Sequence, residues 1–415
     1  MPDNPAQDAS DTQPSRPVQD WRALLAIYSV TSLIEAIGVS QIFAFLPARL
    51  REIGLPQRDV AAFTGIFTAL IFVVGIFLVP FWGVWADKIS RRAVIVRSAV
   101  VEAVVFAAVA LAAQPWQLAA ALLLTGLQLG NTGVMLAALR DVSPAHRVGT
   151  MSAVFSATGP VGFAVGPAVG GVMVDVLHLP LVAVFWSSSV LSVAVVLLLM
   201  LGSREVRPAV VPRGGSLELA IGAVRGVLAD PAVRRVFTIF GVAILGNLMT
   251  RPYMPLLVER ITGSGEGLAS GIALVVGTAA LIGALASPLS GPLGDRLGLR
   301  TVLVGALIVG GLSVAPMPLV QTVVGLAGLS IVYAAAFATV QAMVFGLLAV
   351  QVPPERRSAT LNLVLLPLYV AGIIGPSLAA GFSATIGVPA VYPVAGLIMV
   401  ASAVVISGLV RASHA

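Results

Sequence analysis

Long apolar runs dominate this sequence and decide the medium in which it folds. From Trp21 onward, stretches of twenty or so mostly apolar residues follow one another with short polar breaks. About 20 such residues suffice to cross roughly 30 Å of hydrocarbon. Backbone N–H and C=O groups cannot go unpaired there, so each run must be a helix. Twelve spans are read, near 22–47, 59–82, 93–113, 116–139, 148–174, 180–202, 236–257, 266–290, 301–319, 321–349, 358–382 and 387–410. A chain of 415 residues would ordinarily suggest two or three soluble domains. A mean hydropathy of +1.01 sets that aside.

The polar remainder is small. Residues 1–21 are rich in Pro and Asp and are expected to form a disordered cytoplasmic terminus, not a signal peptide. Residues 22–202 and 236–410 are expected to form six-helix bundles, with a cytoplasmic linker at 203–235 and a cytoplasmic end at 411–415. Within the linker Leu217, Ile221, Val224 and Leu228 recur at helical spacing behind an N-cap at Ser216. An amphipathic segment on the inner membrane face and a flexible basic linker fit equally well. Cysteine is absent, and His146, His178 and His414 are far apart, so no metal site, disulfide or cysteine nucleophile is expected. The net charge of +6 is no nucleic-acid signal in such a chain. It is instead distributed by side. With both termini inside, 19 of the 24 Lys and Arg lie inside and 5 outside (Arg49, Arg51, Arg58, Arg251 and Arg260), as the positive-inside rule requires.

The halves repeat. Gly83 and Asp87 recur as Gly291 and Asp295, and Pro47 recurs as Pro255, all 208 positions apart. "GPAVGG" (166–171) aligns with "GPSLAA" (375–380) at 209. Duplication of this kind builds secondary transporters, with the substrate site between the repeats.

Three motifs carry more. "GVWADKISRR" places Gly83, Asp87, Lys88, Arg91 and Arg92 between the second and third runs, and Gly291, Asp295, Arg296 and Arg300 form its second copy. "GFAVGPAVGG" in the fifth run holds Gly162, Gly166, Pro167, Gly170 and Gly171, a spacing that lets two helix backbones approach closely. "TGLQLGNTG" in the fourth run holds Gln128 and Asn131. On these residues the chain resembles the major facilitator superfamily, and within it the twelve-helix drug:proton antiporters. The loop motif matches with Ser90 in place of a glycine and Leu299 in place of a basic residue. The antiporter motif matches completely. The family's arginine in helix four is missing, and Gly126 stands there.

The resemblance implies an all-α membrane protein of twelve helices in two pseudo-symmetric bundles. It also implies a cavity lined by helices 1, 2, 4, 5, 7, 8, 10 and 11. Only Glu35 and Glu102 lie deep in apolar runs. An acid at such depth must face protein or a water-filled cavity, where it can bind and release protons. Glu35, on helix one, is the first candidate for proton coupling and Glu102 the second, with a packing role preferred for Glu102. Phe43, Phe45, Gln128, Asn131, Asn247, Tyr333, Gln341, Asn362 and Tyr369 are the candidate cavity residues with Glu35. Arg251 is read first as snorkelling to the surface. Meeting an anionic substrate or sealing the outer gate are its alternatives. By resemblance, Asp87 faces the start of helix eleven near Ala359 and Thr360, with Arg91 and Asp141 completing a gating network. Ordinary surface pairing is the simpler reading.

The expected activity is proton-coupled efflux of hydrophobic or amphipathic drugs by a monomer in the cytoplasmic membrane. Its partners would be a small-molecule substrate, protons and the lipid bilayer, with no cofactor and no nucleic acid. A sugar or metabolite exporter on the same fold is the alternative. A membrane-embedded enzyme or sensor lacks any visible catalytic cluster or soluble domain.

Overall fold

The computed structural model describes residues 20–208, 211, 213–351, 363 and 365–411. Residues 1–19 of the expected disordered terminus, Asn362, Ala359, Thr360 and most of the C-terminal end lie outside them, while Asp20 caps and Trp21 opens the first helix. The described residues contain twelve helical segments long and apolar enough to cross a membrane. Spans 1 to 6 are Trp21–Glu52, Gln57–Lys88, Arg91–Leu111, Pro115–Val142, Ala145–Val176 and Val182–Gly202. Spans 7 to 12 are Val233–Thr262, Leu268–Leu297, Leu299–Leu319, Val323–Leu347, Leu366–Thr385 and Val388–Ser407. Several run past the sequence estimates. Span 1 continues through Pro47 to Glu52, and its 32 residues reach about 48 Å at 1.5 Å each.

The packing repeats with the sequence. Spans 1 and 5, 2 and 4, and 3 and 6 pack together in the first half, as do 7 and 11, 8 and 10, and 9 and 12 in the second. The halves meet through spans 2 and 11, 5 and 8, and 1 and 7. Between them runs the linker helix Ser216–Ala229, packed on span 2. Its Ala220 is buried, while Leu217, Ile221 and Leu228 are exposed. "Linker end" below means the end of the bundle carrying this helix.

Polar side chains finish helix ends. At the start of span 3, Ser90 Oγ accepts a hydrogen bond from the Ala93 N–H at 2.9 Å, and Glu205 accepts one from the Arg91 N–H at 2.9 Å. The serine in the family's glycine position is thus an N-cap. At the other end of span 3, buried Arg49 donates to the carbonyls of Val109, Ala110 and Ala112. Those are last-turn oxygens with no partner inside the helix.

The glycines of span 5 set how closely it meets span 1. A Cβ on Gly162 would press on Ala36 and the Leu33 carbonyl, one on Gly166 would overlap Ser40 and the Ile37 carbonyl, and one on Gly170 would overlap the Phe45 ring. The approach lets Ser40 Oγ and Gln41 Nε2 donate to the Gly162 and Gly166 carbonyls, both at 3.4 Å. Gly171 instead faces Ala269 of span 8, at the junction of the halves. Gly166→Val is expected to lower the thermal unfolding midpoint of detergent-purified protein by several degrees. Gly133→Ala, where a Cβ meets nothing within 4 Å, should leave it within a degree or so.

Candidate functional site

Span 4 is broken near its middle. Helix Pro115–Leu124 passes through a 3₁₀ turn, Thr125–Leu127, to Gly130 at φ 98°, and helix Asn131–Val142 begins anew. Gly130 supplies the left-handed conformation that a side chain would resist. The break frees carbonyls at a depth where water cannot serve them. Span 3 serves them instead. Ser98 Oγ donates to the Gln128 carbonyl at 2.5 Å, and Arg97 Nη2 reaches the Gln128 and Leu129 carbonyls at 3.3 and 3.4 Å. The Arg97 guanidinium also lies 3.9 Å from the centre of the Trp82 ring. Its Nε and Nη1 are buried without a hydrogen-bond partner among the described residues.

Glu35 sits where the chain restarts. Asn131 Nδ2 donates to its Oε2 at 2.8 Å, and Gln128 Nε2 to its Oε1 at 3.4 Å. The start of helix Asn131–Val142 adds the partial positive charge of a helix N-terminus. Three residues grouped in the sequence reading as cavity residues are one cluster within the first half. Glu102 is 3 % exposed beside Gly38 of span 1, and its Oε1 has no hydrogen-bond partner among the described residues.

A second feature is a central cavity of about 410 Å³ between the halves. Phe43, Asn247, Tyr333 and Gln341 line it. Glu35, Gln128, Asn131 and Tyr369 are not on its wall: Tyr369 packs against Phe72, and buried Phe45 against Gly170. Arg251 does line it. Span 7 is interrupted by a 3₁₀ turn at Arg251–Tyr253, where Pro252 and Pro255 cannot donate backbone hydrogen bonds. From that turn the guanidinium lies 3.9 Å from the centre of the Phe163 ring and 4.8 Å from that of Phe43. It faces inward and does not snorkel. Asn247 Nδ2 donates to the Tyr333 hydroxyl at 3.1 Å.

The loop motif forms a charge cluster at the linker end. Arg91 Nε meets Asp87 at 2.9 Å and Arg91 Nη1 meets Asp141 at 2.6 Å, tying spans 2, 3 and 4 together. Lys88 bonds the Gly214 carbonyl and Arg92 the Met200 carbonyl. In the second copy Arg300 bonds the Ser407 carbonyl, a near-symmetric tie from span 9 to span 12. Asp295 and Arg296 are exposed, and a Cβ on Gly83 or Gly291 would meet nothing within 4 Å.

The opposite end is closed by contacts that local patterning did not reveal. Arg51 Nη1 meets Glu259 Oε1 at 2.5 Å between spans 1 and 7. The partners are 208 residues apart, so they occupy equivalent places in the two halves. Asp175 Oδ2 accepts from the Ser270 N–H at 2.7 Å, joining span 5 to the first turn of span 8.

A sequence profile described as Major Facilitator Superfamily matches residues 24–280 and 236–415. The chain belongs to that superfamily. It is thus a multi-pass membrane transporter and not an enzyme. Among its superfamily relatives, the "Multidrug resistance protein MdtG" of Enterobacter lignolyticus is 28% identical over 393 residues, 93% of this chain and 91% of the relative. The protein of that name from Salmonella typhi is 28% identical over 389 residues, 92% and 94% of the two chains. The fold matches a crystal structure of the nucleoside transporter NupG with a TM-score of 0.74 at 14% identity, covering 94% and 99% of the chains. It also matches a bacterial homologue of the human lysosomal transporter Spinster at 0.69 and 16%, covering 95% of each chain.

Gly126, in the place of the family's helix-four arginine, lies in the broken stretch of span 4. Arg97 comes from span 3 and touches the same broken stretch. In the sequence it reads only as one more inner-side charge, six residues past Arg91; its nearness to "LGN" is set by helix packing. Arg97→Ala is expected to cost about 1–3 kcal/mol, the penalty for unmet buried polar groups. It should appear as a lower unfolding midpoint in detergent, while the exposed Arg296→Ala leaves that midpoint unchanged.

Proposed function

We propose that this transporter exports hydrophobic or amphipathic compounds in exchange for protons, by alternating access of the central cavity. The observation that carries the reading is Glu35, a lone acid deep in span 1 held by Asn131 and Gln128 at the break of span 4. The multidrug-resistance relatives support the cargo class. The placement of Lys and Arg supports cytoplasmic termini in the inner membrane, with a monomer as the working unit.

The coupling runs through one rigid piece. Helix Asn131–Val142 carries Asn131 at one end and Asp141 near the other, about 15 Å away at 1.5 Å per residue. Asn131 reads the charge on Glu35, and Asp141 holds Arg91 and, through it, Asp87 at the cytoplasmic end. Protonating Glu35 weakens a charge-assisted hydrogen bond and changes the position that suits this half-helix best. That biases the halves only because the two states hold the carboxyl differently.

The present conformation is read as inward-facing. The Arg51–Glu259 and Asp175–Ser270 contacts latch the outer end. Open space beside Gly83 and Gly291 leaves room for closer backbone approach when the cytoplasmic end shuts. In proteoliposomes, Glu35→Gln is expected to abolish drug-driven proton movement while drug binding persists. Glu102→Gln should keep most of it. Undiminished proton movement in Glu35→Gln would remove Glu35 from this role, and loss in Glu102→Gln alone would transfer the role to Glu102.

A further inference from the structure

Among the described residues lining the central cavity, Arg251 is the only one carrying a full charge; no Asp or Glu is on the wall. No described carboxylate lies within ion-pair distance of its guanidinium. Its contacts are the rings of Phe163 and Phe43. A cation–π contact uses the charge of a guanidinium but leaves its five N–H donors free. Placing such a group in an apolar wall is costly unless something accepts those donors.

Further donors stand nearby. Thr250, next to Arg251, has its hydroxyl 3.4 Å from that of Tyr333. Tyr333 accepts from Asn247, and because Thr250 donates its own proton to the Gly246 and Asn247 carbonyls, the tyrosine proton is directed at Thr250 Oγ1 across a long contact, from which it can turn to a ligand. One turn away, Ser330 Oγ is buried on the cavity wall without a partner among the described residues. The remaining wall is mostly small and apolar, with Val276, Ala280 and Gly283 on span 8 and Phe337 on span 10.

We propose that this cavity selects amphipathic anions: a carboxylate or sulfonate head held by Arg251 and the neighbouring hydroxyls, with an apolar body laid along span 8. A guanidinium fork matches a planar or tripodal oxyanion, and a wall of low polarity strengthens that attraction while it repels cations. The cation–π pair also spans the two halves, since Arg251 is in the second and both rings are in the first. Rocking the halves therefore changes the surroundings of the head group, which gives the ligand different affinities in the two states.

The inference rests on the export reading only for the direction of movement, and the test reads binding. Full-length protein in detergent is titrated by calorimetry with naphthalene-2-sulfonate and with its cationic counterpart, naphthalen-2-yltrimethylammonium. The sulfonate should bind at least about tenfold more tightly, as one charge-assisted contact implies. Arg251→Gln should bring the two ligands level, and Arg251→Lys should keep part of the difference. Equal affinities or a preference for the cation in the native protein would overturn the proposal, as would an undiminished preference in Arg251→Gln. If Arg251→Gln does not fold, the native comparison and Arg251→Lys decide: a lysine that binds the sulfonate as tightly as arginine also overturns it. Sulfonate bound through Arg251 but not moved in proteoliposomes would leave the site standing and remove the export reading. Drug export with no Arg251-dependent sulfonate binding would do the reverse.

Discussion

A backbone carbonyl in hydrocarbon has no water to turn to, and the architecture of this transporter follows from that constraint. It makes every apolar run a helix, and it makes each interruption a place where side chains must supply the missing hydrogen bonds. Arg49 supplies three at one end of span 3, and Ser90 with Glu205 caps the other. At the break of span 4, Ser98 and Arg97 supply them from a neighbouring helix. Irregular backbone survives at that depth because protein surrounds it.

The interruptions are also where the chemistry collects. The break in span 4 presents a helix start, Asn131 and Gln128 to Glu35. The interruption of span 7 places Arg251 on the cavity wall. The Glu35 cluster and the central cavity are separate: the first lies inside one half, the second between the halves. In the proposed cycle, what joins them is rigid-body motion. Close packing of span 5 on span 1 through Gly162, Gly166 and Gly170 makes a stiff unit of the first half. Gly171 and Asp175 on that same span meet span 8. In the proposed cycle this packing is what would carry a change at Glu35 to the junction with span 8.

Much of this is legible in the residues. Hydropathy places the spans, because length and apolarity are local properties. The 208-residue offset announces a duplication, and in space it returns as a contact between equivalent places, Arg51 on Glu259. Glu35, Gln128 and Asn131 stand out as isolated polar groups in apolar runs, and the fold gathers them. Long side chains are not legible in the same way. Arg97 reads as an inner-side charge and Arg251 as a snorkelling one, because their destinations depend on which helix lies alongside and at what register. Glu205 and Asp175 look like ordinary loop acids until span 3 and span 8 begin beside them. Asn247, Tyr333 and Gln341 share the cavity, whereas Tyr369 turns to Phe72. That choice of helix face is made by tertiary packing, not by spacing along the chain.

The central claim is that the two halves rock about the cavity, so that one end closes as the other opens. The absence of native cysteine allows a direct measurement. Spin labels at Arg58→Cys and Glu266→Cys report the end opposite the linker, and labels at Arg140→Cys and Arg296→Cys the linker end; all four positions are exposed. Double electron–electron resonance distances in nanodiscs are compared at low and high pH, with and without substrate. The account predicts opposite changes, the Arg58–Glu266 pair lengthening under the condition in which the linker-end pair shortens. Distances that stay fixed in every condition, or that lengthen and shorten together, would contradict it.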